Sequence, residues 1–191
     1  MHALIVVANP NPESLSHAVS KRIADAIVMS RSAHEVDIAD LAAEGFDPRY
    51  TLQDVEVSQG RREPSADVRR EQNRIEQADA LILVYPIYWW SFPALLKGWI
   101  DRVFTNGWAF DDLSGEKIIK KMQHLPVHLV SIAGADMRTY ARHGYYGAMR
   151  TQINHGIFDY CGAPVKTSEL MFQSDPEACL NLAEDIGKRI F

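Results

Sequence analysis

The chain has 191 residues, 47% of them hydrophobic and 24% charged, with a formal net charge of -5. That length and balance suit one soluble globular domain, expected to span residues 1–191. The mildly acidic character gives no electrostatic reason for a nucleic-acid partner or an anionic membrane surface, and no apolar run approaches the roughly 20 residues of a membrane span.

Ala3 to Ala8 (ALIVVA) reads as a first, fully buried strand. The run is too short for a secretory signal core and has no basic flank, so a cytoplasmic location is expected. Asn9 to Glu13 (NPNPE) is turn chemistry, and Ser14 is placed to cap a helix whose apolar positions are Leu15, Ala18, Val19, Ile23, Ala26 and Ile27. A polar loop at a helix N-terminus is either an anion site or a plain capped turn, and these residues alone leave both open. His34 to Ile38 (HEVDI) predicts a second strand and so a right-handed βαβ unit. Gly45 to Ala66 is long, polar and broken by Pro48, Gly60 and Pro64. Loops of that length are usually functional or disordered. Ser65 stands where it can cap a helix through Val68, Ile75 and Ala78. Arg61, Arg62, Arg69 and Arg70 read as a solvated face interleaved with glutamates, with phosphate contact as the alternative.

Leu81 to Tyr85 is apolar at every position, the pattern of a central parallel strand covered on both faces. A turn from Pro86 to Phe92 follows, rich in aromatics (Tyr88, Trp89, Trp90, Phe92). Pro93 then suits the first position of a helix that buries Leu95, Leu96, Trp99, Ile100, Val103 and Phe104. Lys117 to Leu125 is amphipathic, and Pro126 leads into a fourth strand, Val127 to Ala133, that ends at Gly134-Ala135-Asp136. A helix is predicted over His143 to Tyr160 on Met149, Ile153, Ile157 and Phe158, with Gly162 just past its end. Pro164 to Phe172 is the fifth strand, and a final amphipathic helix begins at Pro176. Five strands alternating with helices predict an α/β doubly wound parallel sheet with helices on both faces. Cys161 and Cys179 form no CxxC pair and read as reduced thiols, and the histidines show no metal spacing.

Three loops then converge on the carboxyl edge of the sheet, where open α/β sheets bind ligands. They are Asn9 to Ser16, Pro86 to Phe92, and Gly134 to His143. Hydroxyls and amides in the first, flat rings in the second, and a glycine, tyrosine and histidine in the third fit a phosphorylated planar cofactor. The aromatic turn read by itself is equally a hydrophobic plug. Ser14 and Ser16 lack the GxSxG elbow of a serine hydrolase.

The stretch YPIYWWSFPALLKGWIDRVFTNGWAF resembles the flavin-loop and helix signature of the NAD(P)H:quinone oxidoreductases in the flavodoxin-like superfamily. ALIVVANPNPESLSHAV is similar to that family's first strand and phosphate loop, and REQNRIEQADALILVYP to its helix and third strand. The resemblance runs over roughly residues 3–172 and is weakest over residues 45–66. It implies a flavodoxin-like fold and a flavin, FAD or FMN, with a slight lean to FAD from the long 45–66 segment. It implies NAD(P)H as electron donor and a quinone-like acceptor that takes the nicotinamide's place by turns.

By the same resemblance, Asn9, Ser14, Leu15 and Ser16 would lie at the flavin phosphates. Pro86, Ile87, Tyr88, Trp89 and Trp90 would wrap the ring, with Trp89 and Trp90 walling the substrate pocket. Ala133, Gly134 and Ala135 would offer amides to the ring's polar edge, where many relatives carry a T-T-G-G run that this chain lacks. Tyr140 and His143 would be the catalytic pair, and Phe110 would reach across a homodimer interface into the partner's pocket. Two other roles accord with the resemblance: a regulatory subunit on a membrane potassium-efflux transporter, and an azo or nitroaromatic reductase. A flavodoxin-type carrier is the remaining alternative, though such carriers are usually far more acidic.

Overall fold

The computed structural model describes residues 1–31, 33–112 and 117–191. Its centre is a parallel sheet of five strands: β1 (His2–Val7), β2 (Glu35–Asp40), β3 (Ala80–Pro86), β6 (Val127–Ala133) and β7 (Val165–Phe172), in the spatial order β2-β1-β3-β6-β7. The order reverses between β1 and β3, so the crevice beyond their carboxyl ends is the switch point where such sheets take ligands. In β1, β3 and β6 nearly every side chain is buried, because helices cover both faces.

One face is packed by α1 (Leu15–Ser30) and the final helix α7 (Pro176–Gly187), which bury Val19, Ile23 and Ile27 against Ala183 and Ile186. The other face is covered by α3 (Ala66–Glu76), α4 (Ala94–Val103) and the helical run after β6, around a core of Trp99, Phe104, Ile153 and Phe158. Trp99 is fully buried and its indole N–H donates to Glu71 at 3.1 Å, as the sequence pattern of that helix required.

Three expectations change. The 45–66 segment is not a bare loop: it carries a helix, α2 (Leu52–Ser58), closed by a reciprocal capping box between Thr51 and Asp54. The segment is bound to α4 through Arg102, which is 6% exposed. Its guanidinium reaches Asp54 at 3.2 Å, Asp67 at 2.7 Å, the Asp47 carbonyl at 2.8 Å and the Ser65 hydroxyl at 3.2 Å. Gly98 lets the segment lie this close, since a Cβ there would stand 2.2 Å from the Pro48 carbonyl oxygen.

The second change concerns the helix predicted from His143. Helical structure starts earlier, at α5 (Met137–His143), because the Asp136 side chain caps it by accepting from the Thr139 amide at 3.0 Å. Gly144, in the left-handed region at φ +70°, breaks it, and α6 (Tyr145–Met149) runs on into a π-helix over Arg150–Asp159. Met149, Ile153 and Phe158 still face the core. Thirdly, β4 (Phe110–Asp111) pairs antiparallel with β5 (Ile119–Lys120), a small ribbon outside the main sheet.

Candidate functional site

Tyr88 to Ser91 forms a tight antiparallel turn just past β3, with paired backbone bonds of 3.2 Å in both directions. Its two central residues are Trp89 and Trp90, both left-handed, at φ +50° and +61°. That geometry is the hairpin turn normally made by Asn-Gly, and side chains held there store roughly 1–3 kcal/mol each. Trp89 is 91% exposed and buries almost nothing in return. Ile87 is tied to the neighbouring strand by its N–H on the Ile132 carbonyl at 2.9 Å, so the turn is anchored while the Trp89 ring projects.

Opposite stands the loop after β6. Ile87, Trp89, Trp90, Gly134, Ala135 and Tyr140 line an open cleft of about 150 Å³. Tyr140 is 1% exposed and meets the Trp90 ring edge-on at 5.4 Å, and burial raises its phenol above the ordinary value. His143 is exposed, outside the cleft lining, and stacks on Tyr145 at 5.2 Å. Tyr145 in turn stacks on Trp90 at 3.8 Å, nearly parallel. The three rings form a column linking the predicted histidine to the predicted tryptophan through a tyrosine that the motif reasoning did not select. Tyr145 lies two positions past His143, just beyond the Gly134 to His143 loop assigned to the site.

The first loop lies at the same sheet edge. Asn9 folds it, accepting the Asn11 amide at 3.0 Å while its own side-chain amide donates to Ser16 at 3.2 Å. Ser16 is buried and turned inward, so its hydroxyl supports the loop rather than facing solvent. Ser14 is the N-cap of α1, and Leu15 and Ser16 supply the first helical amides, whose N–H groups have no partner within the helix. The Ser14 hydroxyl also contacts His17 Nδ1 at 2.9 Å, and His17 Nε2 meets the Asp40 carboxylate at 2.9 Å. Burial alone would raise the Asp40 carboxyl, but the Ala43 amide and His17 outweigh it and hold it below the ordinary range. His17 and Asp40 are further residues that sequence reasoning did not select; a carboxylate at the carboxyl end of β2 was the available clue.

Asp136 is directed at its own helix, where the Thr139 amide and hydroxyl hold its carboxyl below the usual value. Phe110 is half-buried in the β4 ribbon against Tyr160, at 5.1 Å, and does not line the cleft within one chain. Pro86 and Ala133 are the last residues of β3 and β6, and neither is among the residues lining the cleft.

A family model described as a flavodoxin-like fold matches residues 1–188. This chain belongs to that flavodoxin-like family. Among its relatives is the ribosyldihydronicotinamide dehydrogenase [quinone] of Pongo abelii, 31% identical over 88% of this chain and 80% of the relative. Among solved structures, an NAD(P)H:quinone oxidoreductase from Methanothermobacter marburgensis superposes with a TM-score of 0.85 at 25% identity, covering 100% of this chain and 99% of that one. The general stress protein 14 of Treponema denticola, determined in complex with FMN, superposes with a TM-score of 0.64 at 25% identity, over 98% of this chain and 94% of that one. The resemblance drawn from the aromatic stretch and this flavodoxin-like family agree, and the strand order is the one that family requires.

Proposed function

We propose that this single-domain chain is a flavin-dependent NAD(P)H:quinone oxidoreductase that alternates a reduced nicotinamide and a flat acceptor in one cleft. The observation that carries the reading is the Trp89-Trp90 turn: two large rings kept in a strained backbone at the switch point, one of them packed on nothing. A protein keeps such strain where a ligand uses it.

The residues fit a flavin. Leu15 and Ser16 amides and the Ser14 hydroxyl suit its phosphate. Ile87, Trp89, Trp90 and Tyr140 give flat apolar walls beside the Gly134-Ala135 backbone, whose amides suit the polar edge of the ring. The bound flavin supplies the redox chemistry, accepting two electrons from the donor and passing them to the acceptor. The chain's own work is positioning and charge. Trp89 and Trp90 would give a planar substrate a flat wall beside the flavin site. The amides at Gly134 and Ala135 stabilise negative charge at the ring's polar edge. His143, outside the cleft lining, would serve the acceptor oxygen from the rim, its ring oriented by the stack on Tyr145. The cleft is open along one side, and a second copy of the chain bringing Phe110 would close it, so the active unit is taken as a cytoplasmic homodimer.

The test is the absorption spectrum of the purified protein, followed by anaerobic titration with NADH, NADPH and ribosyldihydronicotinamide. Flavin bands that bleach in one two-electron step support the reading. A bound flavin that no donor reduces, or that co-purifies with a transporter subunit, moves the function to a carrier or regulatory role. The nucleotide released on heating decides FAD against FMN. His143→Gln is expected to slow acceptor reduction with flavin retained; loss of flavin, or full activity, would remove the histidine from its role.

A further inference from the structure

The line Ser14–His17–Asp40 has a consequence for how the phosphate loop works. Asp40 is ionised and its Oδ1 already accepts the Ala42 and Ala43 amides, each at 3.1 Å. A carboxylate only accepts, so the proton in the 2.9 Å contact between His17 Nε2 and Asp40 Oδ2 belongs to the imidazole. In neutral His17 the other nitrogen, Nδ1, is then bare. The 2.9 Å contact with Ser14 therefore uses the serine hydrogen, with the hydroxyl donating to His17. A hydroxyl carries one hydrogen. Ser14 so committed, and with its oxygen already accepting the His17 amide at 3.4 Å, presents only its remaining lone pair outward, the wrong polarity for a phosphate oxygen.

We propose that His17 is a positioning residue whose proton sets the direction of the Ser14 hydroxyl, so that binding of the flavin phosphate takes up one proton from solvent. This rests on the flavin reading given above. In the bound state Nδ1–H donates to the Ser14 oxygen, Ser14 donates to the phosphate, and Nε2–H keeps Asp40. One N–H bond forms, and no other covalent change is needed. The charges nearby are few. Asp40 faces the imidazole from β2, Lys21 stands one turn along α1, and Glu13 lies exposed in the loop. Glu44, after β2, is held by Arg74 at 2.7 Å, and Asn9 on the β1 side is neutral. The His17 and Asp40 side chains are 19% and 24% exposed, so solvent reaches the pair while most of each stays covered.

The sign follows from linkage. The phosphate dianion favours the protonated imidazole, so above the phosphate's own second pKa near about 6 affinity falls as pH rises, by up to about tenfold per pH unit for one linked proton. The experiment is calorimetric titration of the flavin-stripped full chain with FMN at pH 8, in two buffers of different ionisation enthalpy. A phosphate monoester, with its second pKa near about 6, is already dianionic there. The expected result is close to one proton taken up per FMN by the wild type and none by His17→Gln, whose FMN affinity becomes nearly independent of pH. Ser14→Ala, which keeps His17 and removes the hydroxyl it steers, is expected to lose the uptake as well. FMN that binds with equal proton uptake in all three proteins overturns the inference and leaves the flavin reading standing. FMN that does not bind the wild type overturns both.

Discussion

The segment over residues 45–66 and the turn from Tyr88 to Ser91 make opposite uses of side chains. The first is polar in sequence and yet firmly built, because Arg102 gathers two carboxylates, a carbonyl and a hydroxyl beneath it and Gly98 allows close approach. The second is aromatic in sequence and yet holds Tyr88 and Trp89 out to solvent on a strained backbone. Polarity is covered where the chain needs an anchor, and apolar surface is displayed where it needs to meet a flat ligand. Composition alone points the other way for both, which is why burial and backbone angle separate scaffold from site here.

Removing the anchor is expected to have the largest effect. Arg102→Met leaves Asp54 covered without its partner, and loss of a buried pair of this kind costs about 3–5 kcal/mol; urea unfolding would show it, and a midpoint unchanged from wild type would mean the cluster is ornamental. Gly98→Ala forces a methyl against Pro48 and should cost about 1–3 kcal/mol by overpacking, read from the same curves. At the turn the sign reverses. Trp89→Gly relieves one left-handed side chain and is expected to stabilise the fold by about 1–2 kcal/mol while raising KM for the acceptor. A destabilised variant with unchanged KM would contradict the view of the turn as stored strain.

Acid should act on the anchor before the turn. Burial pulls the Asp67 carboxyl upward, but the Ser65 hydroxyl and the Arg102 guanidinium outweigh it and hold it below the ordinary value. A depressed carboxylate contributes stability that is complete above its unfolded pKa of about 3.9 and is lost as pH falls through the lower folded value. The melting temperature of the wild type should therefore drop more steeply below that pH than that of Asp67→Asn. The smallest effect concerns Cys161, whose thiol burial pushes up to about 11. It should resist a thiol reagent at neutral pH until the chain unfolds, and rapid labelling of the native protein would show that the π-helix end opens.

Periodicity made the sheet legible. The apolar runs at Ala3 and Leu81, and the largely apolar run at Val127, read as central strands, and they are. The aromatic turn was legible as a location, since it follows such a strand directly. Its left-handed backbone was not, because tryptophan gives no local signal for positive φ and the tertiary setting imposes it. The α2 helix hid behind Pro48, Gly60 and Pro64, although Thr51 and Asp54 stood at capping-box spacing. His143 and Tyr145 needed three dimensions, since only Gly144 and the bend it makes bring their rings into one column with Trp90.

The wide ladder over Arg150–Asp159 also works as a phase adjuster. Each residue of an α-helix advances the direction of its neighbours by about 100°. Ile153 and Phe158 fix this run in the core, so its register sets which way the turns before it point. Removing one residue before Ile153 would swing Tyr145 away from Trp90 and take buried Met149 off the core in the same rotation. Insertions and deletions there are thus aiming changes, and a stretch that lines no part of the cleft governs where its aromatic column is directed.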